Sequence, residues 1–152
     1  MGISKKLCNF EVDNPILKME TYVYSIDIKV RDYELDAEGI VNNANYLHYM
    51  EYTRHCFCED CGFSFKRMGE EGITPVMSHI EADYKAPLRS GDTMTSKLWI
   101  EMKGVRMIFH QHIINKDTGA DVFFGKATIV CLENGRISRC EKLKEAFKQY
   151  LR

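Results

Sequence analysis

The sequence predicts an α+β protein: an antiparallel sheet of about five or six strands wrapped around one long helix, with a short helix at the C-terminus. Three observations carry this expectation. The run "TYVYSIDIKVR" alternates apolar and polar residues with a period of two. A single proline-free stretch, "NNANYLHYMEYTRHCFCEDCG", is long enough for a central helix. After it come four strand-like runs joined by short turns, and short connections between consecutive strands imply antiparallel pairing.

From Thr21 to Arg31, Tyr22, Tyr24, Ile26, Ile28 and Val30 share one face, as expected for a half-buried strand. A loop from Asp32 to Val41 follows. The helix begins at Asn42 or Asn43, either of which can cap it by accepting a backbone N–H bond. It stops at Gly62, a residue suited to ending helices. Tyr46, Leu47, Met50 and Phe57 supply its apolar stripe, and Tyr49, Tyr52 and Cys58 lie off that stripe, which predicts a helix covered on most sides. The runs "TPVMSHIEADYKAP", "MTSKLWIEMK", "RMIFHQHII" and "DVFFGKATIVCLE" read as strands. In the second, Leu98, Ile100 and Met102 alternate with Lys97, Trp99 and Glu101. A hairpin at Lys103-Gly104 joins the middle pair, "NKDTGA" is a turn, and "CEKLKEAFKQYLR" is a short amphipathic helix.

A length of 152 residues without repeats or composition breaks predicts a single domain over residues 1–152. With 45% hydrophobic and 28% charged residues the composition is globular, and a net charge of −1 supplies no general attraction to nucleic acid or anionic membranes. No apolar run is long enough to span a bilayer. The start "MGISKKLCNFEVDN" has no secretory apolar core, and Lys6 stands where a myristoylation signal needs Ser or Thr. A cytoplasmic location is therefore expected. Six cysteines, Cys8, Cys56, Cys58, Cys61, Cys131 and Cys140, read as small thiols in a reducing compartment. Cys56 and Cys58 point to different sides of a helix, and no second Cys/His pair has zinc-finger spacing. His110 and His112 share a strand face but lack a third ligand, so no metal and no other cofactor is expected.

Chemistry concentrates in "RDYELDAEGIVNNANYLHYMEYTRHCF". Asp32, Glu34, Asp36 and Glu38 crowd a loop that runs into a helix start. Asp36 lies just ahead of Gly39, where the chain can approach a ligand without a Cβ in the way. The helix begins with free N–H groups and a partial positive charge aimed back at the loop. Glu51 and Arg54, three apart on the helix, are placed to pair with each other. His48 and His55 read as packing or solvent-facing residues, and Asn45 as a cap.

The layout and the run "DAEGIVNNANYLHYMEYTR" resemble the hotdog-fold thioesterases of the 4-hydroxybenzoyl-CoA thioesterase type. The matching positions are Asp36, Gly39, Ile40 with Val41, Tyr46, Glu51 and Arg54, and a second match, "YKAPLRSGD", holds Tyr84, Pro87, Gly91 and Asp92. The resemblance implies hydrolysis of an acyl-CoA thioester, with Asp36 as nucleophile or general base and the Asn43 backbone amide as oxyanion donor. It implies Glu51 as a second carboxylate candidate, and Gly39 and Tyr46 at the substrate. It also implies a homodimer or dimer of dimers with active sites between subunits. Basic residues suited to CoA phosphates are Arg89 and Lys85 in the second motif, and Lys103 and Arg106 at the "KGVR" hairpin.

Family members often carry His or Tyr at the position of Asn43, and asparagine there resembles acyl-carrier-protein thioesterases, which usually hold two hotdog units per chain. Hydrolysis of acyl-carrier-protein thioesters is therefore the alternative enzyme. A non-catalytic acyl-binding hotdog module is the alternative outside enzymes. A hotdog dehydratase lacks support, because no His pairs with a helix acid in the usual manner.

Overall fold

The computed structural model describes residues 22–151, so Thr21, Cys8 and the N-terminal motifs fall outside the described residues. Six strands there form one antiparallel sheet: β1 (Tyr24–Lys29), β2 (Ile73–Tyr84), β3 (Thr93–Lys103), β4 (Arg106–Asn115), β5 (Asp121–Glu133) and β6 (Arg136–Ser138). The order is β1-β3-β4-β5-β2, with β6 paired to β5. The long helix α1 (Asn43–Asp60) packs on the concave face, α2 (Phe65–Glu70) follows it, and α3 (Glu141–Phe147) closes the chain. Single turns of tighter helix stand at Asp32–Glu34 and Lys148–Tyr150.

The alternation in the sequence decides which side of each strand is covered. Met94, Leu98 and Ile100 of β3 are fully buried, and Phe123 and Ala127 of β5 meet the same core. β2 starts at Ile73 and ends at Tyr84, three residues short of the predicted Pro87, and bulges between Met77 and His79. The sequence reading missed α2 and β6. Each is at most two helical turns or three residues long, too short to display a period.

The helix departs from the expected enclosure. Tyr46, Tyr49, Met50, Thr53, Arg54, Phe57 and Cys58 are buried, whereas Leu47 is 37% and Tyr52 56% exposed. At about 100° per residue Tyr49 lies roughly 60° from Tyr46 and stays on the buried face, while Tyr52 lies roughly 120° from Tyr46 and faces out. One face of α1 is therefore open in the single chain. The buried face includes polar groups with partners. Thr53 Oγ1 lies 2.7 Å from both the Tyr49 carbonyl and Ser96 Oγ. Arg54 does not pair with Glu51 but turns inward and donates to Gln111 Oε1 at 2.8 Å. Gln111 in turn donates to the Met50 carbonyl. Burial lowers the guanidinium pKa, and the exposed Glu51 faces His55 at 3.6 Å instead.

Helix and sheet are in tight contact at Gly125. A Cβ there would lie 2.5 Å from Met50 Sδ and 2.8 Å from the Phe123 ring. Gly125→Ala is thus an overpacking change, expected to cost about 1–3 kcal/mol in urea denaturation. A variant as stable as wild type would mean that the Met50 terminus moves aside freely.

The cysteines behave as apolar residues. Cys58, Cys131 and Cys140 are buried, and burial pushes the thiols of Cys58, Cys61 and Cys131 up to about 12. His110 and His112 each meet a carboxylate: Glu101 at 3.1 Å and Asp121 at 2.8 Å. Their rings stack on Trp99 and Phe124. Among the described residues, no three His, Cys, Asp or Glu side chains converge as a metal site.

Candidate active site

The acidic loop is built from its base upward. Glu34 is only 6% exposed. Its Oε2 accepts from the Arg31 N–H and the Tyr49 O–H, both at 2.8 Å, and its Oε1 meets the Arg31 guanidinium at 2.9 Å. Burial, reinforced by the carboxylate, pushes the Tyr49 phenol well above its usual pKa, so it remains a donor. Leu35 then pairs with Val41 across the loop. The tip closes as the Asp36 N–H donates to the Ile40 carbonyl at 2.8 Å and the Gly39 N–H to the Asp36 carbonyl at 3.1 Å.

Asp36 is half-buried at this tip, and its Oδ1 accepts from the Glu38 N–H at 2.8 Å. Its carboxylate is thus oriented by the turn that carries it. Gly39 sits at φ +77° with open space around the position of a Cβ. Glycine is demanded there by backbone conformation rather than by crowding.

The returning arm becomes α1. Asn42 caps it, its Oδ1 accepting from the Ala44 N–H at 3.0 Å. The Asn42 N–H donates to the Glu34 carbonyl, and so does Asn45 Nδ2 at 2.8 Å, so Asn45 ties helix to loop rather than capping. Asn43 is the first helical residue, its side chain exposed. As a first-turn group its N–H has no acceptor within the helix. Its carbonyl accepts from the Tyr84 O–H at 2.9 Å. Tyr46 is 3% exposed, stacks on Phe123 at 5.3 Å and meets Tyr84 edge-on, so within one chain it is a core residue.

The two sequence motifs are neighbours in space. The Val41 N–H donates to the Leu88 carbonyl, Ile40 pairs with Arg89, and Asp92 Oδ2 accepts from the Arg89 N–H at 2.9 Å. Ser90 Oγ also bonds to Asp32. The exposed Arg89 therefore lies beside the Asp36 loop. Lys103 and Arg106 do not. They pair with each other at the far end of β3, ten residues beyond Thr93, which is about 33 Å along a strand. Lys103 is held by Glu101 at 3.0 Å. Lys85 is exposed and its N–H bonds to the Val122 carbonyl.

An open groove of about 1240 Å³ runs between the exposed face of α1 and the β1 side, lined by Asp27 to Glu34, by His48, Glu51 and Tyr52, and by Ser90 and Gly91. Neither Asp36 nor Asn43 lines it. Sequence reasoning missed Glu34, Tyr49 and Tyr84 as members of the loop's bonding network. Nothing in the sequence separates the buried Glu34 from Asp32, Asp36 and Glu38.

A curled antiparallel sheet with one helix on its concave face and a carboxylate loop at the helix start is the hotdog arrangement. The family model of the thioesterase-like superfamily matches residues 30–151, and the chain belongs to that superfamily. It is 34% identical over 112 residues to an acyl-acyl carrier protein thioesterase of Arabidopsis thaliana, described as chloroplastic, covering 73% of this chain and 59% of that protein. It is 35% identical over 108 residues to the long-chain acyl-CoA thioesterase FadM of Escherichia coli, covering 70% of this chain and 80% of that one. A 1,4-dihydroxy-2-naphthoyl-CoA thioesterase of Synechocystis, 15% identical, shares the fold with a TM-score of 0.77 over 82% of this chain and 95% of its own. The chain spans about 60% of the length of the Arabidopsis relatives it matches.

Proposed function

We propose that this protein hydrolyses acyl-CoA thioesters to the free acid and CoA, with Asp36 as nucleophile or general base and the Asn43 N–H as oxyanion donor. The observation that carries the reading is a single hydrogen-bonded loop that joins an oriented, half-buried carboxylate to a helix start whose first N–H, at Asn43, has no acceptor within the helix. As nucleophile, Asp36 attacks the thioester carbonyl, CoA leaves as thiolate, and water cleaves the resulting anhydride. As general base, it takes a proton from water, which attacks the same carbon directly. In both routes negative charge develops on the carbonyl oxygen, where the Asn43 N–H and the positive helix end stabilise it.

Gly39 leaves the loop tip open to substrate, and Arg89 supplies a cation beside it for phosphate. Lys103 and Arg106 reach the same substrate only if a second subunit brings them. A homodimer, alone or as half of a tetramer, fits the edge of β2, which has no further strand beside it among the described residues and where Val76 and Met77 are each 43% exposed.

A second reading, hydrolysis of acyl-carrier-protein thioesters, is favoured by the names of the Arabidopsis relatives. Both are tested by one panel of acyl thioesters on CoA and on carrier protein, followed by loss of thioester absorbance. The six cysteines would give background with thiol-trapping reagents. Turnover of the CoA series is expected. Turnover confined to carrier-protein substrates selects the second reading, and binding without turnover on either carrier rejects both in favour of an acyl-binding module.

A further inference from the structure

We propose that Glu34 is a positioning residue: a buried carboxylate that sets the Asp36 loop against the N-terminus of α1. The inference rests on the hydrolase reading above and extends it to a residue two positions from Asp36. Glu34 binds three separate pieces of the chain. Its carboxylate holds the loop entry through the Arg31 N–H and guanidinium, and holds α1 through the Tyr49 O–H. Its carbonyl holds the helix start through the Asn42 N–H and the Asn45 side-chain amide.

Two of these anchors flank the parts that must meet the same substrate carbonyl. Asn42 immediately precedes the Asn43 amide, and Asp36 follows Glu34 by one bridged residue, Leu35. Tyr49 lies six residues into the helix from Asn43, on its buried face, so the carboxylate fixes the rotation of the first helical turns as well as their distance. Without the carboxylate the loop keeps its backbone bonds at Leu35–Val41 and Asp36–Ile40 and the carbonyl bonds to the helix start, but loses the tethers to Arg31 and to Tyr49 that fix its placement against the body of the helix. Small misplacements of reacting groups cost rate steeply.

The test uses Glu34→Gln, which keeps the volume but loses the ion pair and one acceptor, and Tyr49→Phe, which cuts only the helix tether. Each is expected to lower kcat for the best acyl thioester by about 10- to 100-fold and leave KM within about two-fold. Thr53→Ala, which removes a buried hydroxyl far down the helix, is the destabilised control and should keep wild-type kcat at temperatures where it is folded. Amide hydrogen exchange supplies a readout independent of turnover. Exchange at residues 40–43 should rise about 10-fold in both Glu34→Gln and Tyr49→Phe, with the later turns of α1 still protected. Lowered thermal midpoints with wild-type kcat and unchanged exchange at residues 40–43 would reduce Glu34 to a stabilising residue and overturn the inference. Wild-type protein inactive on every thioester overturns the hydrolase reading, while the exchange result still decides whether Glu34 places the loop.

Discussion

Asp36→Asn is expected to lower kcat for the best acyl thioester by roughly 10³-fold while the protein stays folded. The structure makes asparagine the sharper substitution. Asp36 Oδ1 accepts from the Glu38 N–H and orients the tip, and the amide oxygen of asparagine can accept the same bond. What is lost is the charge and the capacity to attack or to take a proton. Asp36→Ala removes the acceptor as well and should cost about 1 kcal/mol of stability in addition to the activity. Steady-state kinetics on the same thioester panel, with circular dichroism as the folding control, separates the two effects. Wild-type kcat in both variants would remove Asp36 from the reaction and leave Glu51 as the next carboxylate to replace.

Phe57→Ala should produce the largest loss of stability, about 3–5 kcal/mol. Phe57 is fully buried near the end of α1, where its ring meets Tyr24 of β1, Phe109 of β4, Phe147 of α3 and Tyr150 beyond it. Truncation leaves a void bounded by four elements that cannot all move inward together. Thermal midpoints should fall by roughly 10 °C, measured at equal protein concentration because oligomers melt in a concentration-dependent way. Phe57→Leu keeps most of the volume and should lose less than half as much. A fall below about 1 kcal/mol for the alanine variant would mean that the cluster collapses around the gap. Because Phe57 lies about four turns from Asn43, activity per folded molecule should survive the change.

How far the site was legible follows the range of the interactions that build it. The helix start at Asn42 and the turn at Asp36 are made by residues two to four apart, and both were readable. The burial of Glu34 depends on Tyr49, fifteen residues away, and the inward turn of Arg54 depends on Gln111, fifty-seven away. Local pattern favours the pairing of Arg54 with Glu51 at three residues' spacing, which the fold replaces with a partner on β4. Tyr46 shows the same limit. Its place in the motif suggested substrate contact, whereas Phe123 and Tyr84 enclose it within the chain.

By itself, then, the sequence determined the order of the main strands and helices, the alternating strands, the capped helix, the run of loop carboxylates and the fold class. All of these depend on local spacing and on backbone preferences. Tertiary structure decided which face of α1 is covered, which of four loop carboxylates is buried as an anchor, and that Arg89 lies beside Asp36 while Lys103 and Arg106 lie a strand's length away. Those outcomes are contacts between distant segments. They are selected by the requirement that every buried polar group find a partner once the sheet has curled over the helix.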